Sequence, residues 1–160
     1  MLSAEDLEYF IQPTAPKAPT RFEQLRKLMA LLRSPDGCPW DNEQTLLTLR
    51  KYVLEEAQEV ADAMTAVAAN PTPTNWHELC DEVGDLLLEC FFVARFGEEL
   101  DAFDIYDALE LLRQKLVRRH PHVFGSVTVN GSDEVLHNWN VIKAAEKQVS
   151  PHPLNIEDEI

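Results

Sequence analysis

A chain of 160 residues, 45% hydrophobic and 26% charged, suits one domain with a hydrophobic core. Its net charge of −14 disfavours a nucleic-acid polymer as partner, because an acidic surface repels a phosphate backbone. The longest apolar run, Leu86 to Ala94, is interrupted by Glu89 and too short for a membrane span, and Met1 to Asp6 lack the basic, apolar character of a signal peptide. Cys38, Cys80 and Cys90 are odd in number and form no CxxC pair, which predicts reduced thiols and a cytoplasmic location.

In chain order, residues 1–19 read as an N-terminal extension ending in a Pro-rich linker, Pro13 to Pro19. Thr20-x-x-Glu23 predicts a capping box, followed by a helix with Phe22, Leu25, Leu28, Met29 and Leu32 at helical spacing. Ser34-Pro35-Asp36-Gly37 stops it, and Gly37 to Asp41 reads as a rigid loop, with Asp41 and Gln44 as candidate caps for the next helix. That second helix is expected from Leu46 to Ala69, ending at Asn70-Pro71. A third should start from a capping box at Asn75-x-x-Glu78 and run to Phe96-Gly97. Asp104 caps a fourth, which breaks at His120-Pro121, and Ser132 caps a fifth reaching Gln148. Only the short Val127–Val129 stretch hints at a strand, and residues 150–160 read as a flexible tail. These elements predict an all-α bundle of about five helices over residues 20–149.

The second predicted helix places Leu49, Val53, Ala57, Val60, Met64 and Val67 on one face, with Glu55, Glu56 and Glu59 beside it and Glu56 nearest the edge. The third is apolar around most of its circumference and should be buried, yet Glu78, Glu82, Asp85 and Glu89 form one stripe on it. Glu56-x-x-Glu59 and Glu82-x-x-Asp85 each set two carboxylates on one face, a repulsive arrangement that a cation relieves. A solvated acidic stripe is the plainer explanation, but two such sets on consecutive helices favour a metal site. All-oxygen ligands suit magnesium, or manganese in its place, rather than zinc.

Arg113, Lys115, Arg118 and Arg119 cluster in the last turns of the fourth predicted helix, with Lys143 and Lys147 on the fifth. Complementing a helix dipole explains one or two of them. Lys115 and Arg119 form a like-charged i,i+4 pair that phosphates would relieve. Trp139 and Lys143 share a stripe on the fifth helix, although a core role is the plainer explanation for an isolated Trp.

Five motifs in order carry a resemblance. Gly37-Cys38-Pro39-Trp40-Asp41 with Gln44-Thr45 comes first, then Leu54-Glu55-Glu56-x-x-Glu59-Val60-x-Asp62-Ala63. Asp81-Glu82-Val83-Gly84-Asp85-Leu86-Leu87, Arg118-Arg119-His120-Pro121-His122-Val123-Phe124 and Trp139-x-x-Ile142-Lys143 complete the series. Over residues 21–148 the chain resembles the MazG nucleoside triphosphate pyrophosphohydrolases. The resemblance implies an all-α fold dimerising through its central helices, a tetramer being the larger alternative. It implies hydrolysis of nucleoside triphosphates to monophosphate and pyrophosphate, clearing surplus or non-standard nucleotides. Glu56, Glu59, Glu82 and Asp85 would hold magnesium, with Glu55 as an extra ligand or a water-orienting base. Lys115 and Arg119 would contact phosphates, Trp139 and Lys143 would lie near base and phosphates, and Lys51 is a further phosphate candidate. Many relatives carry two such domains in tandem, whereas this chain has one.

Rival enzyme patterns fail. A Nudix-like Glu78-Leu79-x-Asp81-Glu82-x-Gly84 lacks its upstream Gly and Glu, which are Ala63 and Ala69, and His77 replaces the expected Arg. A di-iron bundle needs two Glu-x-x-His motifs, and only Glu134-x-x-His137 is present. The rival of another class is a catalytically silent helical dimer that binds nucleotides or a protein partner.

Overall fold

A computed structural model describes residues 20–146. The predicted extension and linker at 1–19, the tail at 150–160, and the end of the last helix with Lys147 lie outside the described residues. All five predicted helices are present, and the described residues contain no strand. They are α1 (Arg21–Leu32), α3 (Leu46–Ala69), α4 (Pro73–Glu99), α5 (Ile105–Arg119) and α7 (Ser132–Glu146). Two short helices, α2 (Pro39–Glu43) and α6 (Pro121–Phe124), occupy segments expected to be a loop and a break. Both start with proline at the first helical position, where its missing N–H costs nothing. Residues 127–129 have no regular structure. No described helix is long and apolar enough to cross a membrane.

The described residues divide into two compact units, with the boundary between Glu99 and Leu100. In the first, Thr20 Oγ1 accepts the Glu23 N–H at 3.4 Å and starts α1, while the Glu23 carboxylate turns to Arg26 at 3.5 Å. The α1 helix ends where Gly37 passes so close that a Cβ there would sit 2.2 Å from the Leu31 carbonyl oxygen. Thr45, rather than Asp41 or Gln44, caps α3 through a reciprocal box with Thr48, and Gln44 Oε1 accepts from the Thr48 hydroxyl. The third predicted helix begins two residues earlier than its expected cap. Thr72 Oγ1 accepts the Asn75 N–H at 3.2 Å, and Asn75 donates its amide to the carbonyls of Asn70 at 2.7 Å and Ala66 at 3.3 Å. Asn75 therefore stitches the connection instead of capping α4.

That short connection makes α3 and α4 an antiparallel hairpin. The core is Met29 of α1, Leu49 of α3 and Phe92 and Phe96 of α4, with Tyr52 and Val93 packed on it. Each of the four buried side chains contributes about 1.5–3 kcal/mol by leaving water. Arg33 ties the unit together. It makes two bonds to Glu99, at 2.8 and 2.7 Å, donates to the Asp41 carbonyl at 2.6 Å, and lies 3.9 Å from the Phe96 ring centroid.

Two expectations about burial are corrected. The inward face of α3 is rotated from the apolar stripe: Leu49 and Val67 are buried, but Met64 and Ala57 are exposed, and Glu56 takes a half-buried place. Helix α4 is buried only in its C-terminal half, at Phe91, Phe92, Ala94 and Phe96, whereas Val83, Leu87 and Leu88 are exposed.

In the second unit, Asp104 caps α5 by accepting from Tyr106 and Asp107, and Asp107 returns a bond to the Asp104 N–H. Helix α5 contacts α6 and α7. His120 bridges the turn, its Nδ1 2.6 Å from the Leu116 carbonyl and its ring set edgewise to Trp139 with centroids 5.0 Å apart.

Candidate metal centre and basic patch

Glu59 on α3 and Glu82 on α4 lie nearly equal distances along the chain from the hairpin connection, as do Glu56 and Asp85. Antiparallel pairing therefore sets these four opposite one another. Glu56, Glu59 and Glu82 each place one carboxylate oxygen within 4.8 Å of the others. Burial, then the charges of Glu59, Asp85 and Glu82, raise the Glu56 pKa. Burial, then Glu59 and Asp85, raise that of Glu82. A bound cation would relieve repulsion of this kind. The donor set fits a hard divalent ion, since it is all oxygen and anionic, with no His or Cys in the group.

Glu55 is exposed and lies outside the group of three, beside Lys51. The Lys51 ammonium sits 4.3 Å from the Tyr52 ring centroid, and a hydrogen bond to Tyr52, the Tyr52 charge and that of Glu55 raise its pKa. The acidic stripe on α4 is not uniform: Glu78 is exposed, whereas Glu89 is buried, with Oε2 lacking a hydrogen-bond partner. Periodicity placed Glu89 on the stripe but carried no sign of its depth.

The basic cluster in the second unit is partly neutralised from within. Arg113 pairs with Glu110, whose carboxyl the Arg113 and Gln114 bonds lower to about 2. Arg119 donates Nε and Nη2 to Glu146 Oε2, at 3.0 and 2.6 Å, and Arg118 donates to Glu146 Oε1 at 2.7 Å. The Arg119 bonds, then those of Arg118, take the Glu146 carboxyl to about 2. The Arg119 guanidinium also lies 5.0 Å from the Trp139 ring centroid. Lys115 and Lys143 are exposed and form no ion pair among the described residues. Glu146 went unweighed in the sequence because its partners lie a whole helix and loop away.

An all-α protein whose central hairpin gathers an acidic cluster that could bind a metal ion is the class these observations define. Residues 44–124, half of the chain, match the family model described as the MazG nucleotide pyrophosphohydrolase domain. The chain belongs to that family. It is 40% identical over 128 residues to the nucleoside triphosphate pyrophosphohydrolase of Escherichia coli, covering 79% of this chain and 46% of that protein. The nucleoside triphosphate pyrophosphohydrolase/pyrophosphatase MazG of Thermotoga maritima is 40% identical over 126 residues, covering 79% and 45%. Protein YabN of Bacillus subtilis is 38% identical over 133 residues, covering 83% of this chain and 26% of YabN. The chain thus spans a quarter to just under half the length of these relatives. The family match holds Lys51, the acidic residues, Lys115 and Arg119, whereas Trp139 and Lys143 fall beyond it.

Proposed function

We propose that this chain hydrolyses nucleoside triphosphates to nucleoside monophosphate and pyrophosphate, with magnesium as its cation and manganese able to substitute. The observation that carries the reading is the group of Glu56, Glu59 and Glu82 oxygens gathered on one hairpin, in a chain of the MazG family. These three with Asp85 would hold the ion. A divalent ion in such a site supplies charge neutralisation and Lewis acidity at triphosphate oxygens.

The chain's own groups do the rest. Glu55, exposed and outside the cluster, orients a water and takes its proton as the water oxygen attacks the α-phosphorus. The bond from that phosphorus to the bridging oxygen breaks, and pyrophosphate leaves with the electron pair. The family resemblance assigns Lys115 and Lys143 of the second unit to phosphate oxygens, with Lys51 of the first as a further candidate. Arg119 keeps Nη1 clear of Glu146 for the same use, and Trp139, against which its guanidinium lies, is assigned to the nucleotide base by the resemblance. The substrates include surplus or non-standard nucleotides of the cytoplasm.

A second copy completes the fold in this reading. Leu54, Met64, Trp76 and Leu87 are each about half exposed or more on the α3–α4 hairpin. Gly84 lies mid-helix, where glycine is unfavourable, yet nothing approaches within 4 Å of its Cβ position. Both features support a homodimer packed through these central helices.

A panel of nucleoside triphosphates with magnesium, assayed separately for pyrophosphate and orthophosphate, tests the activity. Pyrophosphate release is expected. Nucleotide binding without turnover, indifferent to magnesium, would instead identify a silent binding protein. Sedimentation of a stable monomer at micromolar concentration would remove the dimer.

A further inference from the structure

Glu89 is the one buried carboxylate of the α4 stripe, and the proposed reaction does not use it. Residues three and four apart share a helix face, so Glu89 continues the line of Glu82 and Asp85 inward, one turn beyond Asp85. It is only 7% exposed, and its Oε2 is buried without a partner. A buried acid normally survives by pairing with a cation or a donor. Neighbouring arginines are engaged elsewhere: Arg33 pairs with Glu99, and Arg95 pairs with Glu98 and Glu99.

We propose that the cation site extends inward to Glu89, whose carboxylate serves as a further oxygen donor on the side of Glu56. The inference rests on the cation-binding role proposed for Glu56, Glu59, Glu82 and Asp85. The orphaned oxygen is independent of that role, since it is a buried acceptor waiting for a positive partner. On α4, Glu89 lies one turn beyond Asp85, which stands opposite Glu56 in the antiparallel hairpin, so Glu89 and Glu56 lie toward the same end of the cluster. Glu78, at the opposite end of the stripe and exposed, has none of these properties.

The test uses the full chain without nucleotide. Magnesium and manganese are titrated against the melting temperature, and manganese binding is followed by electron paramagnetic resonance. Wild type and Glu78→Gln should show the same midpoint. Glu89→Gln keeps the shape and removes the charge, and should raise the midpoint about tenfold or more. Its metal-free melting temperature should equal or exceed that of wild type. An unchanged midpoint in Glu89→Gln overturns the proposal and leaves Glu89 a structural acid. If Glu89→Gln is insoluble, Glu89→Asp should still raise the midpoint severalfold, and an unshifted Glu89→Asp overturns the proposal equally. A wild-type chain that neither ion stabilises would overturn the cation reading itself, and this extension with it.

Discussion

The acidic hairpin and the basic patch handle like charges in opposite ways. On α3 and α4, Glu56, Glu59 and Glu82 crowd together, and burial and mutual repulsion raise the pKa values of Glu56 and Glu82. On α5 and α7, Arg118 and Arg119 share Glu146, Arg113 has Glu110, and both carboxyls are drawn down to about 2. The first region is electrostatically incomplete by itself and the second is largely complete. Incompleteness points to a missing ligand of opposite charge. By that criterion the hairpin is the stronger candidate for ligand binding, and within the patch Lys115 and Lys143 are stronger candidates than Arg113 or Arg118.

Neutralising one member of the hairpin cluster is the largest expected effect. Glu56→Gln or Glu82→Gln should lower turnover roughly a thousandfold, as loss of several kcal/mol of charge stabilisation requires. The metal-free melting temperature should hold or rise by about 1–2 °C, because like-charge repulsion is relieved. Activity assays and calorimetry on the same samples decide it, and joint loss of folding and activity would mark these residues as structural.

Arg33 tests the reverse case, a cation satisfied inside the hairpin unit. Arg33→Ala should cost about 2–3 kcal/mol of stability in urea unfolding, because it removes a paired guanidinium and its aromatic stacking. Little loss would show that Glu99 is held well enough by Arg95.

In the patch, Lys115→Ala should reduce kcat/KM about tenfold or more with no change in melting temperature. Arg119→Ala should lower both, since its bonds to Glu146 go with it, and Arg113→Ala should alter kcat/KM less than about threefold. Three alike and mild outcomes would reduce the patch to a complement of the helix dipole.

The smallest effect is on pH dependence. Glu56 and Glu82 have folded pKa values above their unfolded ones, so their ionisation opposes folding. Metal-free protein should therefore gain stability as pH falls through the raised values toward the ordinary carboxylate range. Glu99 and Glu146 are depressed. Their contribution is full above the unfolded pKa and is lost as pH falls toward the folded values, about 2 for Glu146. Melting curves should peak at mildly acidic pH without magnesium, and the peak should flatten when magnesium is added.

Many of these features were legible in the sequence. The caps at Thr20 and Asp104 and the break at Asn70-Pro71 stand where local chemistry puts them. The pairs Glu56/Glu59 and Glu82/Asp85 were visible from spacing, because i,i+3 carboxylates share a face wherever the helix lies. The beginning of α4 was misplaced because Asn75 bonds backward to Asn70 and Ala66, a use of its side chain that a capping pattern does not encode. Helix α2 was missed because Pro39-Trp40-Asp41 reads equally well as a rigid loop.

What the sequence by itself determined is local: which segments are helical, where they end, and which charged residues share a helix face. These depend on backbone hydrogen bonding and on a fixed residue period, and both act over a few positions. Tertiary structure alone decided that Glu56 turns toward α4 while Met64 turns out, that Glu89 is buried and Glu78 is not, and that Arg119 commits two nitrogens to Glu146. Each depends on which neighbour arrives from far along the chain, and an apolar stripe records only that a face needs covering, not what covers it.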